Sequence, residues 1–221
     1  MQVGKWLLHG DRPYWWVAEQ GSNISLVQTS LSCETGPGVP SGHSQAATVI
    51  VFCLVDCCLS SSWCRTRGCR SLLWLLFLAA QMMMWTSRIY ISAHFPHQCL
   101  LGFMVSLLVV RKFYSRGSWI QRRTFPLLVF SLFLLASSLT VYQLLLRLGH
   151  NPDWSISLAR KHCNNPDWIH LDTTPFYAMM RSSVRSGYLT LTASILGSPG
   201  PPWVSACRDS SRWTSSRPRL F

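Results

Sequence analysis

The sequence predicts an all-α protein built as a multi-pass bundle of transmembrane helices. Of its 221 residues, 48% are apolar and 13% are charged, and charges are absent over long stretches. Its 20 Lys and Arg against 8 Asp and Glu give a formal net charge of +12, but the cations lie in the gaps between apolar runs. A disordered chain or a soluble globule would show more charge, and a nucleic-acid-binding protein would carry its cations on a solvated face. The composition therefore favours a membrane protein.

Four apolar segments approach the length of about 20 residues that a membrane-spanning helix needs. They cover residues 44–62, 71–87, 95–110 and 125–146. The last is uncharged and is the clearest, whereas the first contains Asp56, and a single acid inside a bilayer is costly. We therefore expect one partial membrane domain over residues 1–180 with about four spans. Residues 181–221 are expected to form a divergent, disordered tail.

The distribution of Lys and Arg predicts the orientation of these spans. Cytoplasmic loops carry an excess of both residues, so the cationic loops 65–70 and 111–123 are expected on the cytoplasmic side. The opposite side then holds residues 1–43, 88–94 and 147–175. Asn23 begins an Asn-Ile-Ser glycosylation sequon and falls on that opposite side, which predicts a glycoprotein.

The nine cysteines are scattered and lack the paired Cys-x2-Cys spacing typical of zinc sites. Cys53, Cys57 and Cys58 lie inside an apolar run, where a thiol behaves as a small hydrophobic side chain. We therefore interpret most of the cysteines as packing residues and expect neither a metal nor a cofactor.

Polar residues on the non-cytoplasmic side form three groups. Lys5 and Arg12 are seven positions apart, which places both cations on one helix face if the helix persists to Arg12. The alternative is that they are anchors that reach from a membrane end to the water. Ser41, Gly42 and His43 precede the first span, where free N–H groups at a helix N-terminus would favour an anion. The alternative there is an ordinary turn with a surface histidine.

Arg88 and His94 form the third group, at the mouth of a membrane segment, where an ionisable side chain indicates function. Together the three groups supply what a transferring phosphoryl group needs. Lysine and arginine would hold its oxygens, and two histidines would act as nucleophile and proton donor.

The three groups also match a known pattern. Lys-x6-Arg-Pro, Pro-Ser-Gly-His and Ser-Arg-x5-His, in this order, resemble the signature of the type 2 phosphatidic acid phosphatase (PAP2) and vanadium haloperoxidase superfamily. The longer strings at 10–17, 33–43, 87–98 and 165–176 are similar to the glucose-6-phosphatase catalytic subunit family in particular. The resemblance covers about residues 4–180.

This resemblance implies a PAP2-like endoplasmic reticulum membrane enzyme that hydrolyses glucose 6-phosphate in the lumen, for glucose production. It implies that His94 is the nucleophile that becomes a phosphohistidine and that His43 is the proton donor. The phosphate-binding residues would be Lys5, Arg12, Ser41, Gly42 and Arg88. Gln98 stands where the wider superfamily has an aspartate, and it would orient His94. The expected partners are the lipid bilayer and a glucose-6-phosphate transporter, with no nucleic acid.

Two alternatives stay open. Family members have more membrane helices than the four predicted here, so we expect the chain to be truncated at both ends. It would then be a non-catalytic membrane protein or isoform of the same family. The second alternative is a lipid phosphate phosphatase that uses the same motif.

Overall fold

A computed structural model describes residues 2–21, 24, 26–60, 64, 66–114, 124–174, 177–178 and 180–181. Its seven α-helices are α1 Gln2–Leu8, α2 Pro13–Glu19, α3 Gly42–Ser60, α4 Arg67–Tyr90, α5 Pro96–Tyr114, α6 Thr124–Arg147 and α7 Trp154–His162. Two short 3₁₀ turns follow, Pro166–Trp168 and Leu171–Thr173. Within the described ranges the one β interaction is an isolated parallel bridge between Glu34 and His170. The predicted all-α class is therefore confirmed.

The four predicted spans fall largely on α3, α4, α5 and α6. By length and composition, two helices in the described part of the chain could cross a membrane, Gly42–Leu59 and Arg67–Tyr90, and a shorter apolar helix covers Leu132–Arg147. Only 17% and 11% of the two long apolar windows are buried. Their apolar side chains therefore face outward, as lipid-facing helices require and as a soluble core helix does not.

The helix α3 is central to the bundle and packs along both α4 and α5. The aromatic ring of Phe77 on α4 contacts Phe52 of α3 and Phe103 of α5, with ring centroids 6.4 and 6.1 Å apart. Gly102 of α5 lies against the Ser41 backbone so closely that a Cβ there would come within 2.6 Å of the Ser41 carbonyl oxygen. A glycine is therefore required for α5 to approach the start of α3.

The other elements cover one end of this bundle. The helix α2 packs against α7, and α1 contacts α6. A disulfide joins Cys33, in the loop before α3, to Cys163 at the end of α7, with their Cα atoms 5.9 Å apart. The segment 163–173 is thereby held against the loop 33–41.

The interpretation of most cysteines as packing residues is wrong. Cys33 pairs with Cys163, Cys64 pairs with Cys69, and Cys57 is also disulfide-bonded. Spacing could not reveal the first pair, because its members are 130 positions apart and are brought together only by the packing of α2 and α7. Free thiols in the described part of the chain are Cys53, Cys58 and Cys99.

Candidate active site

Lys5 and Arg12 do not share a helix, contrary to the expectation from their spacing. The helix α1 ends at Leu8, His9 adopts a positive φ of 42°, and Arg12 is the residue that caps α2. Both side chains are nevertheless buried, and Arg12 lies close enough to Lys5 for its charge to lower the pKa of Lys5. The turn between α1 and α2, rather than helical periodicity, brings the two cations together.

Arg12 is fully buried and is fixed from three directions. Its Nε donates to the Gly36 carbonyl at 2.6 Å, and its Nη1 donates to the Ala93 carbonyl at 3.0 Å. Its Nη2 lies 2.9 Å from Glu34 Oε2. This nitrogen forms an ion pair with Glu34 without meeting hydrogen-bond geometry, so its N–H groups have no acceptor among the described residues. Arg12 therefore joins the first motif to the loop before α3 and to the turn that carries His94.

Glu34 lies at the centre of the cluster, and the sequence analysis did not predict a role for it. Its carboxylate contacts Arg12, and its Oε1 lies 3.8 Å from Arg88 Nη1 and 3.7 Å from His43 Nδ1. The ligating atoms of Glu34, His43 and His94 all lie within 4.8 Å of one another. The available signal was an acid placed six residues before the Pro-Ser-Gly-His motif in a cation-rich protein, but no rule of spacing connects the two.

The main chain around Glu34 is held by its neighbours. The Tyr14 hydroxyl donates to the Glu34 carbonyl at 3.0 Å, and Cys33 is fixed by its disulfide. The next residue, Thr35, donates through Oγ1 to the His170 carbonyl at 2.8 Å. Its N–H donates to Thr173 Oγ1 at 3.0 Å. His170 and Thr173, in the string at 165–176, therefore hold the segment next to Glu34 in place instead of contributing a reacting group.

The second motif lies where helix α3 starts. Gly42 is the first residue of α3, and the buried Ser41 precedes it, with its N–H donating to the Gln98 carbonyl at 3.2 Å. His43 follows in the first turn, and 47% of its side chain is exposed. The helix start at which the sequence predicts an anion site thus adjoins the cationic cluster, and His43 lies on the open side of that cluster.

The third motif runs from the last turn of α4 into the tight turn before α5. The N–H groups of Ala93 and His94 both donate to the Arg88 carbonyl, at 3.1 and 3.3 Å. This turn fixes Arg88 and the 1% exposed His94 on the same side of the cluster. The Nε of Arg88 is buried, and the described part of the chain supplies no hydrogen-bond acceptor for it.

Gln98 holds the imidazole of His94 in one orientation. The Gln98 Nε2 donates to the Asp11 carbonyl at 2.6 Å, so its Oε1 faces His94 Nδ1, 3.0 Å away. Since an amide oxygen only accepts, His94 Nδ1 must carry the proton and Nε2 keeps its lone pair. Gly38 makes room for this amide, because a Cβ there would lie 2.6 Å from Gln98 Oε1.

The charges of the cluster are strongly coupled. Burial alone would raise the pKa of Glu34, but Arg12, with smaller effects from His94, His43 and Lys5, lowers it to about 2. Burial, followed by the charge of Arg12, lowers the pKa of Lys5 to about 7. The same two causes hold the pKa of His94 well below its usual value. The cluster therefore combines a charged carboxylate with a neutral imidazole at neutral pH.

This arrangement suits an anion better than a metal ion. Glu34, His43 and His94 have the ligand spacing of a small metal site. However, Lys5, Arg12 and Arg88 surround the same point, and their charges oppose a second cation. Two arginine side chains with unsatisfied buried nitrogen atoms indicate instead that the site can accept more anionic oxygens than Glu34 supplies.

Every predicted phosphate-binding and catalytic residue thus lies in or beside one cluster. The sequon residue Asn23 lies outside the described residues, as do residues 182–221 of the predicted tail.

Comparison with known proteins gives a consistent family relationship. The family model described as PAP2 superfamily matches residues 1–122. Glucose-6-phosphatase 2 from Homo sapiens is 38% identical over 193 residues, which cover 81% of this chain and 54% of the relative. Glucose-6-phosphatase catalytic subunit 1 is 38% identical over 193 residues in Mus musculus and 36% identical over 191 residues in Felis catus, with the same coverage. The chain spans about half the length of the curated relatives it matches. No solved structure matches the chain significantly.

Proposed function

The chain belongs to the PAP2 superfamily, and we propose that it is a phosphohydrolase that releases inorganic phosphate from glucose 6-phosphate. The predicted resemblance to the glucose-6-phosphatase catalytic subunits is confirmed by identities of 36–38% over 81% of the chain. Its fold is accordingly that of a membrane helical bundle. The observation that carries the proposal is the convergence of Lys5, Arg12 and Arg88 on one point between His43 and His94.

In the proposed first step, His94 attacks the phosphorus atom. The Nε2 lone pair of His94 forms the N–P bond while the bond from phosphorus to the sugar oxygen breaks. His43 gives its proton to that oxygen, so glucose leaves as a neutral alcohol. The hydrogen bond from His94 Nδ1 to Gln98 supports this role, because it directs Nε2 toward the cluster.

In the second step, water hydrolyses the phosphohistidine. His43, now neutral, takes a proton from the water, whose oxygen attacks phosphorus as the N–P bond breaks. Phosphate leaves and His94 regains its lone pair. Lys5, Arg12 and Arg88 would neutralise the phosphoryl oxygens in both steps, with Ser41 and the Gly42 N–H beside them. Positioning and charge neutralisation of this kind supply most of the catalysis in phosphoryl transfer.

We further propose that the reaction takes place in the endoplasmic reticulum lumen, with a transporter delivering the substrate, and contributes to glucose production. The Cys33–Cys163 disulfide beside the cluster suits an oxidising compartment. The Cys64–Cys69 disulfide, however, adjoins the loop predicted to be cytoplasmic. Disulfides alone therefore do not decide the orientation, which rests on the charge of the loops.

The test is hydrolysis by microsomes from cells that lack this activity and that express the chain. We expect release of phosphate from glucose 6-phosphate and trapping of a labelled phosphoenzyme, with both reduced to background in His94→Ala. His150→Ala is the matched control, because His150 is exposed and its ring contacts the Leu148 carbonyl of its own turn. A labelled phosphoenzyme that persists in His94→Ala would exclude His94 as the nucleophile.

Two other results would favour the alternatives. Faster hydrolysis of phosphatidate than of glucose 6-phosphate would indicate a lipid phosphate phosphatase. Membrane insertion without hydrolysis of either substrate would indicate a non-catalytic member of the family.

A further inference from the structure

The carboxylate of Glu34 lies where the proposed reaction requires the phosphoryl group. Transfer from an alcohol protonated by His43 to the Nε2 of His94 places phosphorus between the two imidazole rings. An oxygen of Glu34 already lies within 4.8 Å of both rings. It is also 3.8 Å from Arg88 and, through its second oxygen, 2.9 Å from Arg12. A phosphoryl group bound by the same cations would meet this carboxylate directly.

The negative charge of Glu34 balances only part of the positive charge of the cluster. Lys5, Arg12 and Arg88 are three cationic side chains. In the described part of the chain, the Glu34 carboxylate pairs with the two arginines, and its charge also acts on Lys5. Within the described ranges, the Arg12 Nη2 and Arg88 Nε atoms still lack a hydrogen-bond acceptor. A phosphoryl group offers three non-bridging oxygens and a greater charge, so it can satisfy donors that a carboxylate cannot.

The backbone geometry limits the movement of Glu34 to its side chain. Its carbonyl accepts from Tyr14, and its neighbour Cys33 is covalently joined to Cys163. The Cys33 carbonyl also accepts from the His170 N–H at 3.1 Å. The rotatable bonds of the Glu34 side chain remain available, so its carboxylate can leave the cations while its main chain stays in place.

From these contacts we infer that Glu34 is an internal anion, which occupies the phosphate position in the ligand-free protein and is displaced from Arg12 and Arg88 by a phosphate group. This inference deepens the proposed function and rests on it for the identity of the displaced position. It distinguishes Glu34 from a purely structural partner of the arginines. An internal anion competes with phosphate, whereas a structural partner helps to bind it by keeping the guanidinium groups in place.

The test measures binding of inorganic phosphate to the purified full chain in detergent by titration calorimetry. Glu34→Gln keeps the shape of the side chain and removes its charge. We therefore expect the affinity of this variant for phosphate to be higher than that of the parent by about tenfold or more. Glu19→Gln is the matched control, because Glu19 is an exposed glutamate paired with Lys161 and His162. Its phosphate affinity should equal that of the parent. Unchanged or weaker phosphate binding by Glu34→Gln would overturn the inference.

Thermal unfolding provides a second readout. Removing the charge of Glu34 leaves the buried cations without compensation, so Glu34→Gln should unfold at a lower temperature without phosphate and recover most of the loss when phosphate is saturating. If the variant does not fold, Glu34→Asp replaces it, since its carboxylate is withdrawn by one methylene. That variant should bind phosphate more tightly than the parent by a smaller factor, and equal or weaker binding would contradict the inference.

This experiment separates the inference from the proposed function, because phosphate binding needs no turnover. Tighter binding by Glu34→Gln in a chain that hydrolyses nothing would support the internal anion and contradict the phosphohydrolase. Hydrolysis by the parent, together with weaker phosphate binding by Glu34→Gln, would support the phosphohydrolase and contradict the internal anion.

Discussion

Two glutamates of this protein gather cationic groups, one inside the molecule and one at its surface. Glu34 is 8% exposed and lies among Arg12, Arg88 and His43. Glu19 contacts Lys161 Nζ at 2.8 Å and His162 Nε2 at 2.6 Å, and its side chain is 40% exposed. The surface contacts are the shorter ones.

Distance alone therefore does not distinguish a functional cluster from a surface ion pair. Water and salt screen the charges around Glu19, so its contacts contribute little to stability. Around Glu34 the charges are desolvated, and their mutual effects change which groups are protonated. Burial, with donors left unsatisfied, makes the Glu34 cluster the candidate anion site.

The largest expected difference between the two clusters concerns stability. Arg12→Ala removes two hydrogen bonds to main-chain carbonyls and leaves Glu34 buried without its nearest cation. We expect the free energy of unfolding to fall by about 3–5 kcal/mol, as when one partner of a buried pair is removed. Lys161→Ala, in the exposed cluster, should leave the Tm unchanged. Thermal unfolding of both variants in detergent tests this, and equal Tm values would remove the distinction between the clusters.

The next largest effect concerns the histidines. His162 contacts the carboxylate of Glu19, whereas His94 contacts the amide of Gln98. Gln98→Leu removes the acceptor that fixes the His94 tautomer, so we expect turnover of glucose 6-phosphate to fall on the order of a hundredfold. The affinity for inorganic phosphate should stay close to that of the parent, because the three cations are unaltered. A normal turnover number would show that Gln98 does not position His94.

The smallest expected effect concerns the pH dependence of anion binding. The pKa of Lys5 is about 7 in the ligand-free protein, and a bound anion would raise it. Above pH 7, Lys5 then takes up a proton when the anion binds. The affinity for the anion should therefore fall as pH rises through 7, by about tenfold between pH 6 and pH 8.5. Sulfate is the suitable probe, since its charge is constant over this range.

Substitution at the same position tests the origin of that dependence. Lys5→Arg keeps the positive charge at all these pH values and should flatten the sulfate affinity profile. Lys161→Arg changes a lysine of the exposed cluster and should leave the profile as in the parent. A profile in Lys5→Arg as steep as that of the parent would assign the titration to another group.

Much of the site could be predicted from local sequence patterns. The string containing Ser41 and His43 predicted an anion site at a helix start, and α3 does begin at Gly42. Arg88 and His94 were expected at the mouth of a span; Arg88 lies in the last turn of α4, and His94 lies in the turn between α4 and α5. Their local placement could be predicted because a helix start and an interhelical turn are formed by residues that are neighbours in sequence.

Predictions that depended on spacing across a turn or between distant segments failed. Lys5 and Arg12 meet because the chain turns after Leu8, not because one helix carries both. The pairing of Cys33 with Cys163 was missed, since a disulfide depends on the distance between Cα atoms and not on position in the chain.

The sequence by itself determined the apolar helices, the residue types of the cluster and the relationship to the PAP2 superfamily. Helix formation and membrane partitioning follow from the composition of contiguous segments, so they can be read along the chain. Only the tertiary structure decided that the Glu34 carboxylate lies close to two histidines and two arginines. The physical reason is that desolvation and charge coupling depend on which side chains share a buried volume, and helix packing sets that volume.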